Sequence, residues 1–159
     1  SYEYDPCDYL KAQEFQQKRD IEGFKKSQAD DLLNMQTGLF GFKGRVQFCT
    51  APCIDEQLRA IDRSLPKQEI FTRVAALIDR GIHANYRLYP CNYVAADLLS
   101  ASSEFAAHYT PEEKQAFESY VAQQLARITL PGKDGLYKKK KLLQMYANPL
   151  KNHLVAVGK

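Results

Sequence analysis

His108 and Glu113 stand in the spacing H-x4-E, inside the stretch "HYTPEE". An imidazole oriented by a carboxylate is the arrangement of a general base. Glu113 has a competing task, however. "TPEE" opens a strongly patterned helix, with Thr110 as N-cap, Pro111 in the first position and Glu113 in the third. That order is a capping box, in which the Glu113 carboxylate turns back to the Thr110 amide. His108 then lies just outside the helix, and the pair is not expected to be catalytic. His83 precedes the tyrosine-rich "ANYRLYPCNY" and is read as structural. His153 is expected to be exposed.

The four cysteines are at 7, 49, 53 and 91, and no pair is C-x-x-C. A zinc site of Cys49, Cys53, Cys91 and His83 can be drawn, but its spacing follows no ligand pattern. The cysteines are therefore read as reduced thiols packed as small apolar groups, and no metal is expected. Lys138, Lys139, Lys140 and Lys141 form a run. At 3.6 residues per turn such a run sweeps most of the way around a helix. At least one lysine must then pass along the face of Leu136, Leu142, Leu143 and Tyr146. The exposed members either meet phosphate or acidic lipid headgroups or form a solvated face. The chain has no glycine-rich phosphate loop, no G-x-S-x-G elbow and no H-E-x-x-H.

The elements that must position these residues are mostly helical. A polar helix is expected over residues 8–22, opening at Asp8. Ser27, with Asp30 three residues on, caps the next, which Gly38 would close in the left-handed conformation. Two stretches instead alternate like strands, at about residues 2–5 and 44–51. Pro6 ends the first and Pro52 the second. Beyond Pro52 no strand is expected. Asp55 caps a short helix. Pro66 begins another, with Ile70, Val74, Leu77 and Ile78 as its apolar stripe, closed by Gly81 with Ile82 folding back on Leu77. Asn92 caps "YVAADLLS". Phe117, Tyr120, Val121, Leu125 and Ile128 line one face of the helix from Thr110. A last helix covers about 134–147 and stops at "ANP".

At 159 residues, with 45% apolar and 26% charged, the chain has the composition of one globular domain. A net charge of +3 does not call for a nucleic-acid partner. A reading as a nucleic-acid binder through "KKKKLLQMY" and the ten tyrosines is the weakest, since no binding motif accompanies them. A non-catalytic helical module for protein interaction or membrane docking is the stronger alternative.

Several stretches resemble one family. "SYEYDPCD" resembles a late strand of the glycerophospholipid acyltransferase superfamily, of the type V-P-V-x-I-x-Y-E. "GRVQFCTAPCIDEQL" resembles the segment G-x-V-x-x-x-F-G-x-P-I that follows it. Gly44, Val46, Pro52 and Ile54 are the nearest equivalents, and the glycine two residues before the proline is missing. "GIHANYRLYPCNYVAADLL", "YTPEEKQAFESYVAQQLARI" and "LLQMYANPLKNHL" resemble the C-terminal extension of a bacterial subgroup of 1-acyl-glycerol-3-phosphate acyltransferases.

The resemblance implies an α+β, predominantly α-helical fold. One or two short N-terminal strands would be the remnant of an acyltransferase sheet, followed by a helical, bundle-like extension. Residues 1–53 would be the C-terminal edge of the acyltransferase α/β domain and 54–159 the extension. With no Met at its start and a strand from residue 2, the chain is expected to be the C-terminal portion of a longer enzyme. The family's catalytic H-x4-D motif does not occur in it. No catalytic residue is therefore carried over, and the chain alone is expected to be inactive. The parent would move a fatty acyl group from a coenzyme A or acyl carrier protein thioester to a glycerol-phosphate lipid, with no bound cofactor. Its partners would be the missing N-terminal half, the lipid substrate and an anionic membrane surface contacted by Lys138–Lys141. It would reside in the cytoplasm or on the inner face of the membrane.

Overall fold

The computed structural model describes residues 1–158. Seven α-helices follow in order: α1 (Asp8–Asp20), α2 (Gln28–Phe40), α3 (Asp55–Arg59), α4 (Lys67–Asn85), α5 (Pro90–Ser100), α6 (Pro111–Ala126) and α7 (Gly135–Ala156), with a 3-10 turn at Ala106–His108. The protein is predominantly helical, as its capping signals require. In α6 the Glu113 amide donates to Thr110 Oγ1 (3.2 Å) and the Thr110 amide to Glu113 Oε2 (2.9 Å). In α2 the Asp30 amide donates to Ser27 Oγ (3.2 Å) and the Ser27 amide to Asp30 Oδ2 (2.9 Å). The chain that enters α5 is fixed from inside the helix. Asn92 is its third residue, and its Oδ1 accepts the Tyr89 amide at 2.8 Å.

Four helices make the core. α7 packs most extensively on α5, then on α1, α4 and α6. Ala12 of α1, Val94 and Ala95 of α5, Phe117 and Val121 of α6, and Leu142, Leu143 and Tyr146 of α7 are buried together. Ile128, just past the end of α6, is fully buried with them. α1 thus shares one core with α5–α7, although α1 precedes residue 53 and the others follow it.

The two expected strands do not form. Tyr2 and Val46 make one isolated antiparallel bridge. Around it Ser1 and Gln47 exchange hydrogen bonds (2.8 and 2.9 Å), and the Glu3 amide donates to the Arg45 carbonyl at 2.9 Å. The ladder breaks there for two reasons. The Arg45 amide turns to the Glu3 carboxylate (3.1 Å), while the Glu3 carbonyl accepts Cys91 Sγ (3.2 Å). Gly44 then takes φ +62°, and the Tyr4 amide reaches Lys43, one residue out of register. What remains is a short ribbon with no strand.

Several helix boundaries also differ from expectation: α1 ends at Asp20, and Asp55 is the first residue of α3, not its cap. α2 runs through Gly38 to Phe40, and α4 through Gly81 and Ile82 to Asn85. Neither glycine takes the left-handed conformation that would close its helix, and a Cβ at either would make only ordinary contact. A Cβ on Gly38 would lie 3.6 Å from Cys7 Sγ, and one on Gly81 3.5 Å from Ala51. α7 does not stop at "ANP" but carries Pro149 inside it. Proline removes a helical donor and crowds the preceding turn. Tertiary hydrogen bonds hold that turn from outside, since Asn92 Nδ2 donates to the Tyr146 carbonyl (2.8 Å) and the Tyr86 hydroxyl donates to the Pro149 carbonyl.

Candidate functional site

The residues singled out in the sequence do not assemble into a reaction centre. The His108 ring stacks on Tyr93, with centroids 4.3 Å apart and planes 8° from parallel. Glu113 is spent on its cap, so the H-x4-E pair is not a dyad. His153 is half-buried, not exposed, and its Nδ1 lies 2.9 Å from the His83 carbonyl. A carbonyl only accepts, so Nδ1 carries the proton. Cys7 and Cys91 are buried, Cys49 and Cys53 exposed. Burial pushes the Cys91 thiol up to about 12, which keeps it protonated and unreactive. Among the described residues no three His, Cys, Asp or Glu side chains are grouped to hold a metal.

The lysine run is split by its helix. Lys138 is 1% exposed, and its Nζ has no hydrogen-bond partner. Burial, and then the nearby Lys133, hold it below the usual lysine range. Lys141 is half-buried, its Nζ 5.1 Å from the Phe15 ring centroid and 5.5 Å from that of Tyr137. Lys139 and Lys140 face solvent.

Sequence reasoning missed two buried carboxylates. Asp8 is fully buried and accepts the Tyr120 hydroxyl at 2.7 Å and the Tyr146 hydroxyl at 2.8 Å on the same oxygen. Tyr146 in turn accepts the Asp5 amide at 3.0 Å. Burial raises the Asp8 carboxyl above its usual range despite these donors. Asp97 accepts the Tyr109 hydroxyl (2.7 Å), the Ser102 hydroxyl (3.0 Å) and the Phe105 amide (3.2 Å). Burial raises this carboxyl too, but its hydrogen bonds together outweigh that and hold it low. Asp97 organises the turn between α5 and α6, and Asp8 ties α1 to α6 and α7. Beside the Asp8 cluster is a pocket of about 220 Å³, lined by Tyr2, Tyr86, Asn92, Met145, Tyr146 and Pro149 among others. Tyr146 reaches both, but its hydroxyl proton is already given to Asp8. The cluster joins three helices and has no free catalytic group.

The feature without a structural explanation is an uncovered apolar face. No residue of α2, α3 or α4 is buried. Met35 is 66% exposed, Leu39 70%, Phe40 86%, Phe42 71% and Phe48 93%. Phe71, Ile78 and Ile82 of α4 are also exposed. Single exposed apolar side chains are ordinary, but this many large ones over α2, the ribbon and α4 mark a surface that water covers poorly. The ribbon that carries Phe48 has an open edge as well. In an antiparallel pair the main-chain groups alternate sides. Those of Val46 and Phe48 point away from Ser1–Tyr4, and no hydrogen bond among the described residues satisfies them.

Compared with known protein families, with curated proteins and with solved structures, the chain finds no match. No helix among the described residues is long and apolar enough to cross a membrane.

Proposed function

We propose that this chain is the C-terminal part of a glycerophospholipid acyltransferase of the 1-acyl-glycerol-3-phosphate type, and that its uncovered face seats on the α/β domain that carries the catalysis. The observation that carries the reading is that face. Two helices, α2 and α4, and a ribbon with no buried residue of their own are what a segment belonging to a larger core looks like when the rest of that core is removed. Covering one large apolar side chain contributes about 1.5–3 kcal/mol, so this face favours a cover strongly. The open edge at Val46 and Phe48 supports the same reading, because it offers a further strand a place to pair. Two of the resembling stretches, residues 44–58 and 81–99, include Phe48 and Ile82 of this face.

In the parent, a histidine oriented by an aspartate takes the proton of a glycerol hydroxyl. The alkoxide oxygen attacks the thioester carbonyl, the C–S bond breaks, and the thiol leaves with a proton. This chain contributes none of these groups. Its part is to complete the hydrophobic core of the domain and support it with the α1/α5/α6/α7 bundle.

The test compares the full gene product with this chain, each given an acyl thioester and lysophosphatidic acid. The full product should transfer the acyl group and the chain alone should not. Backbone amides over residues 32–48 and 71–82 should exchange slowly in the full product and quickly in the chain. Turnover by the chain alone would overturn the reading, as would an inactive full product whose residues 32–48 still exchange quickly. The same uncovered face also favours the second reading, a non-catalytic interaction module. Protection of residues 32–48 by a separate protein, without acyl transfer, would select that one.

A further inference from the structure

We propose that the first turns of α7 dock the protein on an anionic lipid bilayer, with Leu136 entering the headgroup–acyl boundary and Lys139 and Lys140 meeting lipid phosphates. This inference stands on the patch itself and does not depend on the acyl-transfer reading. Leu136 is 85% exposed, and its neighbours three and four positions on, Lys139 and Lys140, face solvent beside it. At 100° per residue, Leu136, Lys139 and Lys140 occupy one sector of α7, while Lys138 and Leu142 point the opposite way into the core. With Leu98, Leu99 and Leu143 they line a shallow surface depression of about 330 Å³. Lys133, just before the helix, is exposed too. Among the described residues none of these three lysines has a salt-bridge partner, although seven ion pairs form elsewhere.

Charge and shape together select the occupant. Free ammonium groups call for a negative surface. A rigid acidic protein would need an apolar recess to cover the exposed Leu136 at the rim of this depression; a bilayer deforms to fit it. An apolar anchor flanked by lysines whose stems reach back to the phosphates is the usual geometry of an interfacial helix.

The test is co-sedimentation of this chain with vesicles of phosphatidylcholine alone and of phosphatidylcholine mixed equally with phosphatidylglycerol. Binding should appear only on the anionic vesicles and be lost at about 1 M salt, where the screening length falls to about 3 Å. Each lysine near the surface accounts for roughly fivefold in partitioning, so Lys139→Gln with Lys140→Gln should lower it roughly twenty-five-fold. Lys139→Arg with Lys140→Arg should keep it, and all variants should keep the circular dichroism of the parent chain. Equal binding to neutral vesicles would assign the attachment to the uncovered α2–α4 face and overturn the proposal. Equal binding of the glutamine variant would overturn it too. So would retention on polyglutamate without vesicle binding, which would mark the patch as a site for acidic protein. Acyl transfer by the full product is unaffected by any of these outcomes, so the two readings fail separately.

Discussion

Phe117 and Phe48 are the same side chain with opposite fates. Phe117 is 1% exposed and packs edge-on against Tyr146 at 5.1 Å, while Phe48 is 93% exposed. The contrast extends to whole elements. α6 and α2 both begin with a complete capping box, yet α6 buries Phe117 and Val121 and α2 buries nothing. Local hydrogen bonds therefore decide that a helix starts, not that it has a partner. The α1/α5/α6/α7 bundle closes on itself through Asp8, Tyr120 and Tyr146. The α2–α4 half is held on by its ribbon, by α4 against α7, by Cys7 against the Asn34 carbonyl of α2, and by the contacts of Tyr86 with Pro149 and of His153 with His83.

The largest expected effect separates the halves directly. Phe117→Ala should cost about 3–5 kcal/mol, the usual result of emptying a packed aromatic site, whereas Phe48→Ser should stay within about 0.5 kcal/mol. Urea unfolding of both variants checks this. Equal losses would mean that Phe48 is covered in solution and the two halves are alike.

Next comes a flaw in the packed half. Lys138→Met should raise stability by about 1–3 kcal/mol, because it removes a buried ammonium with no partner. The pH dependence has a definite sign. The folded-state lysine sits below its ordinary range, so between its folded and unfolded values the unfolded chain binds the extra proton. The penalty is complete below the folded value and fades as pH rises to the usual lysine range near 10.4. The gain from Lys138→Met should therefore shrink toward alkaline pH. A gain independent of pH would mean that packing, not charge, is responsible.

Two cap deletions sharpen the contrast. Thr110→Ala should lower global stability by about 1 kcal/mol. Ser27→Ala removes the same chemistry from α2, but it should only speed amide exchange in the first turn of that helix and leave the global midpoint in place. Equal shifts in midpoint would show that α2 folds as part of the core.

The smallest effect is at Ala101, which closes α5 with φ +50°. Left-handed backbone costs a residue with a Cβ roughly 1–2 kcal/mol, and glycine's extra chain entropy costs roughly 0.5–1 in return. Ala101→Gly should then gain about 0.5 kcal/mol in thermal unfolding.

The helices were largely legible in the sequence, and so was the α6 face. Thr110, Pro111 and Glu113 are neighbours, and a capping box is complete within four residues. Phe117 and Val121 repeat at helical spacing. Where local signals are ambiguous, distant contacts decide. Gly38 and Gly81 suit a helix end, but neither turns left-handed, and both helices continue past them. Pro149 reads as a stop, because Asn92 and Tyr86, which support its turn, are 57 and 63 positions away. The strands read at 2–5 and 44–51 do face each other, yet the Glu3 side chain and Cys91 interrupt their ladder. The candidate site was less legible. Four lysines in a row give a helix position for each but not which one faces inward, and the exposed face of α2 is a stripe like any core stripe.

By itself the sequence determined the order of the helices, most of their starts, and the absence of any familiar catalytic motif. These rest on interactions within one or two turns, whose partners are near in the chain. Only the tertiary structure decided which apolar stripes are buried, which of Lys138–Lys141 are free, and that Asp8 meets tyrosines 112 and 138 positions away. Burial depends on which surfaces meet in space, and an amphipathic stripe carries no record of what it will meet.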